Sequence, residues 1–289
     1  MKLESLKVAL IQQSCEEDKN KNIKKTCELI KEAAISGAKL VALQELHTSL
    51  YFCQNEIIQN FDLADEIPNN TTNIFCNIAK ELKIVLIISL FEKRTKGLYH
   101  NTALVIDSDG SIAGKYRKMH IPDDPAFYEK FYFTEGDLGF KPIKTSIGNL
   151  GVLVCWDQWF PEAARLMTLN NADILIYPTA IGWDPSDNDK EKERQKEAWI
   201  TIQRSHAIAN ALPVLSINRV GFEGDIDFWG HSFACGCQGQ IIKMADSKKE
   251  EILIADLDMT ETEKIRRIWP FLRDRRIDNY KDLTKRFID

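Results

Sequence analysis

Apolar residues along the chain follow two periods in turn, and the alternation predicts the elements. Lys7–Gln13 and Lys39–Glu45 read as short buried strands. Between them Ile23, Cys27, Ile30 and Ala34 recur at helical spacing, which predicts a helix over Lys19–Ser36 stopped by Gly37. Ile74, Ile78 and Leu82 predict one apolar face on a second helix, Thr71–Leu82. Ile84–Glu92 and Leu98–Asp107 follow as strands around a Lys96-Gly97 turn, and Asp109-Gly110 turns the chain into Ser111–Lys115. The second half repeats the style. Leu150–Cys155 and Asp173–Tyr177 read as strands, with a helix opened by Pro161 and running to Leu169 between them. A long helix over Lys190–Ala211 precedes strands at Val214–Val220, His231–Ile242 and Ile252–Leu257. Two similar halves of this kind predict an α/β fold with helices outside two packed sheets.

Composition changes this picture little. With 289 residues, 44% hydrophobic and 28% charged, the chain has enough apolar material for one sizeable core. A net charge of −5 offers no footprint for nucleic acid or an anionic membrane. The longest apolar run, around Ile84–Leu90, is strand length and far short of the roughly 18–20 residues of a membrane span. Met1-Lys2-Leu3-Glu4 leads straight into a strand-like run without a signal-peptide core, which predicts a cytoplasmic protein. The seven cysteines are odd in number and irregularly spaced, which argues against a disulfide framework. Cys235 and Cys237 lack a second pair or a suitable His partner for metal, and strand alternation predicts both on one core-facing side.

Charge does set the C-terminus apart. Residues 264–289 hold nine Lys/Arg and four Asp, a balance of +5 that leaves −10 for the rest. Trp269, Phe271 and Tyr280 stand among those basic residues. The expected division is a body over residues 1–263 and a tail over 264–289, the tail docking on the body or on a second subunit of a homo-oligomer. Its scattered acids argue against a nucleic-acid arm.

Three residues stand where chemistry is easily placed. Cys155 ends a buried strand before a sharp turn and a helix, a position that exposes a nucleophile beside backbone N–H groups. A structural buried cysteine is the plainer alternative. Glu45 ends its strand after a run of apolar residues, where burial would raise its pKa and suit a general base. The alternative is a surface carboxylate just past the strand. Lys118, in Tyr116-Arg-Lys-Met-His-Ile-Pro122, can stabilise developing negative charge, or is an ordinary solvated lysine. His120, His206 and His231 lack metal-ligand spacing. His206 reads as a hydrogen-bonded core histidine and His120 as a positioning residue.

Taken together, these segments resemble the nitrilase superfamily of carbon–nitrogen hydrolases along the whole chain. The resemblance implies a four-layer α-β-β-α sandwich and a Glu-Lys-Cys triad formed by Glu45, Lys118 and Cys155. It also implies that Glu129, in Tyr128-Glu-Lys-Phe-Tyr-Phe133, is a second glutamate beside the lysine. Cys155-Trp-Asp-Gln-Trp-Phe-Pro-Glu-Ala-Ala-Arg165, Tyr177-Pro-Thr-Ala-Ile-Gly182 and His206-Ala-Ile-Ala-Asn210 are similar to the branch that hydrolyses N-carbamoylputrescine. The implied reaction splits a terminal ureido group through a cysteine-linked intermediate, with no metal or organic cofactor. The implied partner is a small ureido amine. Its distal ammonium requires a carboxylate, for which Asp184 is the first choice and Asp187 the second. Trp183 is expected to supply a wall or cation–π face, with Trp156 and Tyr51 as further substrate contacts. A β-ureidopropionase-like enzyme would need an Arg in place of Asp184. A non-catalytic protein of the same fold would be expected to lack one member of the triad.

Overall fold

A computed structural model describes residues 4–288. Met1–Leu3 and Asp289, which the expectations for the N-terminus and the tail include, lie outside the described residues. The first half runs β1 (Ser5–Gln12), α1 (Lys19–Ile35), β2 (Leu40–Leu43), α2 (Asn70–Leu82), β3 (Val85–Thr95), β4 (Leu98–Ile106) and β5 (Ile112–Arg117). A short helix α3 (Glu129–Tyr132) precedes β6 (Ile143–Thr145), β7 (Gly148–Val152), α4 (Pro161–Leu169), β8 (Ile174–Pro178) and β9 (Gly182–Trp183). Then come α5 (Asp189–Asn210), β10 (Val214–Ile217), β11 (Val220–Glu223), β12 (Ile226–Trp229), β13 (Phe233–Cys235), β14 (Ile241–Met244), β15 (Glu251–Asp258) and α6 (Glu261–Ile268).

Two six-stranded sheets, ordered β15-β1-β2-β3-β4-β5 and β14-β13-β10-β8-β7-β6, carry the core. Strand alternation explains the layering. Val8, Leu10, Leu40, Ala42, Val85 and Ile87 face the second sheet, whereas Ala9, Ile11, Val41, Leu43, Leu86 and Ile88 pack with α1 and α2. Helices α4 and α5 cover the other side of the second sheet through Ala163, Met167, Trp199 and Ala207. The result is the expected four-layer α-β-β-α sandwich. Asp18 caps α1 by accepting from the N–H groups of Asn20 and Lys21. Gly37, at φ +91°, releases the chain beyond it.

Local differences from the pattern have local causes. Helix α2 buries Thr71, Phe75, Ile78 and Ala79, and leaves Ile74 exposed, because the bulky Phe75 sets the inward face. The run Val214–Val220 divides at Asn218-Arg219, whose side chains bond across to other segments. The run His231–Ile242 is likewise broken, by a turn after Cys235. Cys237 therefore lies in that turn and not on a strand with Cys235. Both are buried all the same, and Cys237 Sγ lies 3.3 Å from the Thr262 hydroxyl. The sequence pattern missed β6, β9 and β12, and all but the first residue of β11, strands of two to four residues. Helix α6 runs across residue 263, the boundary expected between body and tail. No helix among the described residues is long and apolar enough to cross a membrane.

Candidate active site

Parallel pairing of β1-β2-β3 and of β7-β8-β10 brings the carboxyl ends of these strands to one edge. The segments after β2, β5, β7 and β8 carry Glu45, Lys118, Cys155 and Ala180 there. Cys155 opens a turn of 3-10 helix and holds φ +43°, a left-handed conformation that a side-chain-bearing residue adopts at a cost. Asp157 fixes this turn. Its carboxylate accepts from the Val154 N–H at 2.9 Å, the Tyr116 hydroxyl at 2.8 Å and the His120 N–H at 3.0 Å. The His120 ring, 2.6 Å away through Nδ1, stacks on Phe160 at 3.7 Å. His120 thus rests against the carboxylate that holds the Cys155 turn. His206 is a buried core residue whose Nε2 lies 2.7 Å from the Gln158 carbonyl.

Glu45, Lys118 and Glu129 are fully buried and meet in one cluster. The Lys118 ammonium donates to Glu45 Oε1 at 2.8 Å and to Glu129 Oε2 at 2.6 Å. Asn101 donates to the same Glu45 oxygen at 2.7 Å. The other, Glu45 Oε2, is buried without a partner and has free lone pairs for a proton. Burial opposes charge on Lys118, yet the Glu129 and Glu45 carboxylates carry its pKa well above the ordinary value. Burial pushes the Glu129 carboxyl up to about 7, against the pull of Lys118. Burial and then the Glu45 charge push the Cys155 thiol well up, with Lys118 opposing. That shift favours the thiol form of the sulfur, which lies 3.8 Å from the Ala180 carbonyl. A thiol of raised pKa near a buried carboxylate with a vacant oxygen could serve as nucleophile and base by proton transfer at the moment of attack.

Cys155 and Glu129 border a cavity of about 550 Å³, walled by Phe127, Trp156, Trp159 and Trp229. Asp124, Asp184, Asp187 and Gln195 line it further out. Among the described residues no Lys or Arg lines this cavity. Asp184 accepts from the Ser186 N–H and hydroxyl, which hold its carboxyl below the ordinary value, and Asp187 accepts from Gln195 at 3.0 Å. Asp124 is half-buried, and desolvation pushes its carboxyl up.

Two expected contacts fall elsewhere. Trp183 does not line the cavity. Its indole N–H donates to the Lys192 carbonyl at 2.9 Å, and its ring packs against Trp229 at 5.3 Å, so Trp229 takes the wall. The cation near the Trp183 ring is the chain's own Lys192. Tyr51 does not line it either. Its buried hydroxyl donates to Glu129 Oε1 at 2.7 Å, which makes it a support for that carboxylate. Asp124 and Trp229 were missed from the sequence. Asp124 could have been noticed as half of an acidic pair, Asp123-Asp124, directly after Pro122.

The carbon-nitrogen hydrolase family pattern matches residues 7–267, nearly the whole chain. The chain is a carbon–nitrogen hydrolase. This hydrolase acts on C–N bonds other than peptide bonds and belongs to the nitrilase superfamily. A crystal structure of a carbon-nitrogen hydrolase from Helicobacter pylori G27 is 53% identical and superposes with a TM-score of 0.95, covering 98% of this chain and all of that one. N-carbamoylputrescine amidase of Oryza sativa subsp. japonica is 43% identical over 96% of the hydrolase and 93% of its own length. Citrullinase of Francisella tularensis is 40% identical over 98% of the hydrolase and 99% of its own length.

Proposed function

We propose that this hydrolase converts N-carbamoylputrescine to putrescine, ammonia and carbon dioxide. The observation that carries the reading is the cavity itself. Cys155 and Glu129 stand at its floor, with Lys118 and Glu45 buried behind Glu129, and among the described residues every charged residue lining it is an acid. A ureido group attached through a short alkyl chain to an ammonium suits such a space. The apolar walls take the methylenes, and Asp124, Asp184 and Asp187 surround the cation.

In the proposed reaction Glu45 takes the Cys155 thiol proton as sulfur attacks the ureido carbonyl. Lys118 and a backbone N–H near Trp156 stabilise the tetrahedral oxyanion. Glu45 returns the proton to the departing nitrogen, and ammonia leaves a carbamoyl thioester. Water, activated by Glu45, then cleaves the C–S bond. The thiol is restored, and the carbamic acid released breaks down to carbon dioxide and the free amine. Glu129 holds Lys118 in line and supports its charge. A homo-oligomer joined through the tail completes the proposal. Ile268, Trp269, Phe271, Tyr280 and Phe287 are all exposed beside the acidic body, an apolar surface suited to a second copy.

Citrulline offers the same ureido group, and the Francisella relative makes it the second reading. Its terminal carboxylate is the difficulty. Its own α-ammonium could meet one of the acids, but the carboxylate beside that ammonium would lie in an acid-lined cavity with no Lys or Arg among the described residues lining it. Carbamoyl-β-alanine meets the same obstacle. Ammonia release from the three compounds in parallel tests the reading. Highest kcat/KM is expected for N-carbamoylputrescine, and faster turnover of either carboxylate-bearing compound overturns it.

A further inference from the structure

Behind the cluster at the cavity floor, a second buried ion pair closes a hydrogen-bonded circuit through both glutamates. The Arg219 guanidinium is fully buried and donates to three carbonyls of one loop: Glu45 at 3.0 Å, Leu46 at 2.8 Å and Ser49 at 3.0 Å. It also donates to both Glu223 oxygens, at 2.7 and 2.8 Å. Glu223 Oε2 accepts in turn from the Tyr51 N–H at 2.6 Å, at the far end of the same loop. The Tyr51 hydroxyl reaches Glu129, Glu129 reaches Lys118, and Lys118 reaches Glu45. Every side chain in this ring is buried.

We infer that Arg219 and Glu223 are positioning residues for catalysis, fixing the loop 45–51 so that Glu45 and Glu129 are both held on Lys118. The inference rests on the hydrolase reading of the floor. Three features point to position and not to stability alone. The guanidinium is spent on carbonyls of the one loop that carries both Glu45 and Tyr51. Leu46, next to Glu45, sits at φ +50°, a conformation that persists only where surroundings impose it, and Arg219 bonds its carbonyl while Ser89 Oγ accepts from its N–H at 3.1 Å. The pair also grips the loop at both ends, so that a shift at Tyr51 passes to Glu129 and a shift at Glu45 passes to Lys118.

The test uses the full chain with Arg219→Gln, Glu223→Gln, the double variant R219Q/E223Q and Arg219→Lys. Urea denaturation, kcat and KM for N-carbamoylputrescine, and the rate of Cys155 alkylation by iodoacetamide are measured on each, with Cys155→Ala as the alkylation background. Removing one partner strands a buried charge, so both single Gln variants lose stability, and the double variant regains part of it. Positioning predicts that the double variant keeps a kcat deficit of about 100-fold, with KM changed less than about threefold. Its Cys155 alkylation should change in rate, because the proton acceptor has moved. Arg219→Lys should recover part of kcat relative to Arg219→Gln. A double variant that recovers kcat along with stability, or one with full kcat and unchanged alkylation, overturns the inference. If the wild-type enzyme releases no ammonia from N-carbamoylputrescine, the substrate reading fails, while alkylation across the set still decides the positioning role.

Discussion

Replacing Lys118 by methionine keeps an unbranched side chain one atom shorter and removes the charge between two fully buried carboxylates. Glu45 keeps Asn101 and Glu129 keeps Tyr51, so each carboxylate loses one bond and its only ammonium partner. Stranding buried charge in this way costs about 3–5 kcal/mol. At about 2–4 °C per kcal/mol the melting temperature should fall by roughly 6–20 °C at neutral pH. The pH dependence has a definite sign. Burial already carries the Glu129 carboxyl up to about 7, with Lys118 pulling the other way. Without Lys118 that restraint is gone and the carboxyl rises further. A carboxyl raised above its ordinary value holds its proton more tightly in the folded state, so its contribution to stability falls as pH rises through that range. The deficit of Lys118→Met against wild type should therefore be small near pH 5 and grow towards pH 8. Urea denaturation followed by tryptophan fluorescence from pH 5 to 8 measures it. A deficit that is constant with pH, or absent, would refute the charge-balance reasoning.

Cys155→Ala should abolish ammonia release and leave the denaturation midpoint close to wild type, while Glu45→Gln should lower kcat by about 100-fold or more in a folded protein; wild-type turnover by either refutes its role. Asp124→Asn, Asp184→Asn and Asp187→Asn should each raise KM for N-carbamoylputrescine and spare an uncharged ureido analogue of equal length, with the largest effect at half-buried Asp124; equal losses on both compounds would mean a structural role. Truncation after Ile268, which leaves helix α6 whole, should reduce the mass seen by light scattering or the solubility, and an unchanged mass with full solubility would refute an interface built on the tail.

The layers were legible because each strand at their centre alternates cleanly between two buried faces, as Val8 and Ala9 or Ile87 and Ile88 do. Glu45, Lys118 and Cys155 were legible as a group because each follows a strand, and β2, β5 and β7 run the same way as their parallel or twice-reversed neighbours, so their carboxyl ends lie at one edge. The outer cavity was not legible in the same way. Trp183 and Trp229 are equally apolar, and β9 has too few residues for alternation to decide between them. Their paired strands turn Trp229 to the cavity and tie Trp183 to Lys192. The role of Tyr51 depends on Glu129, 78 residues away, and no local pattern reports such a contact. Arg219 reads as one more cation after a strand until the loop of Glu45 folds over it.

The division of charge between floor and mouth bears on how specificity is set. At the floor, one ammonium faces two carboxylates and a thiol of raised pKa. The proposed proton transfers among Cys155, Glu45 and the leaving nitrogen leave the total buried charge unchanged. That matters because creating a new charge in a dry site is expensive. In the proposed reaction the substrate cation stays outside this zone, among Asp124, Asp184 and Asp187, all three of which keep solvent contact. Binding the ammonium therefore leaves the balance that favours the thiol form nearly undisturbed. Recognition can then change by substitution at the mouth alone. Introducing an arginine at Asp184 would alter which ureido compound is held, while the groups that attack the carbonyl would keep their charges and their hydrogen bonds.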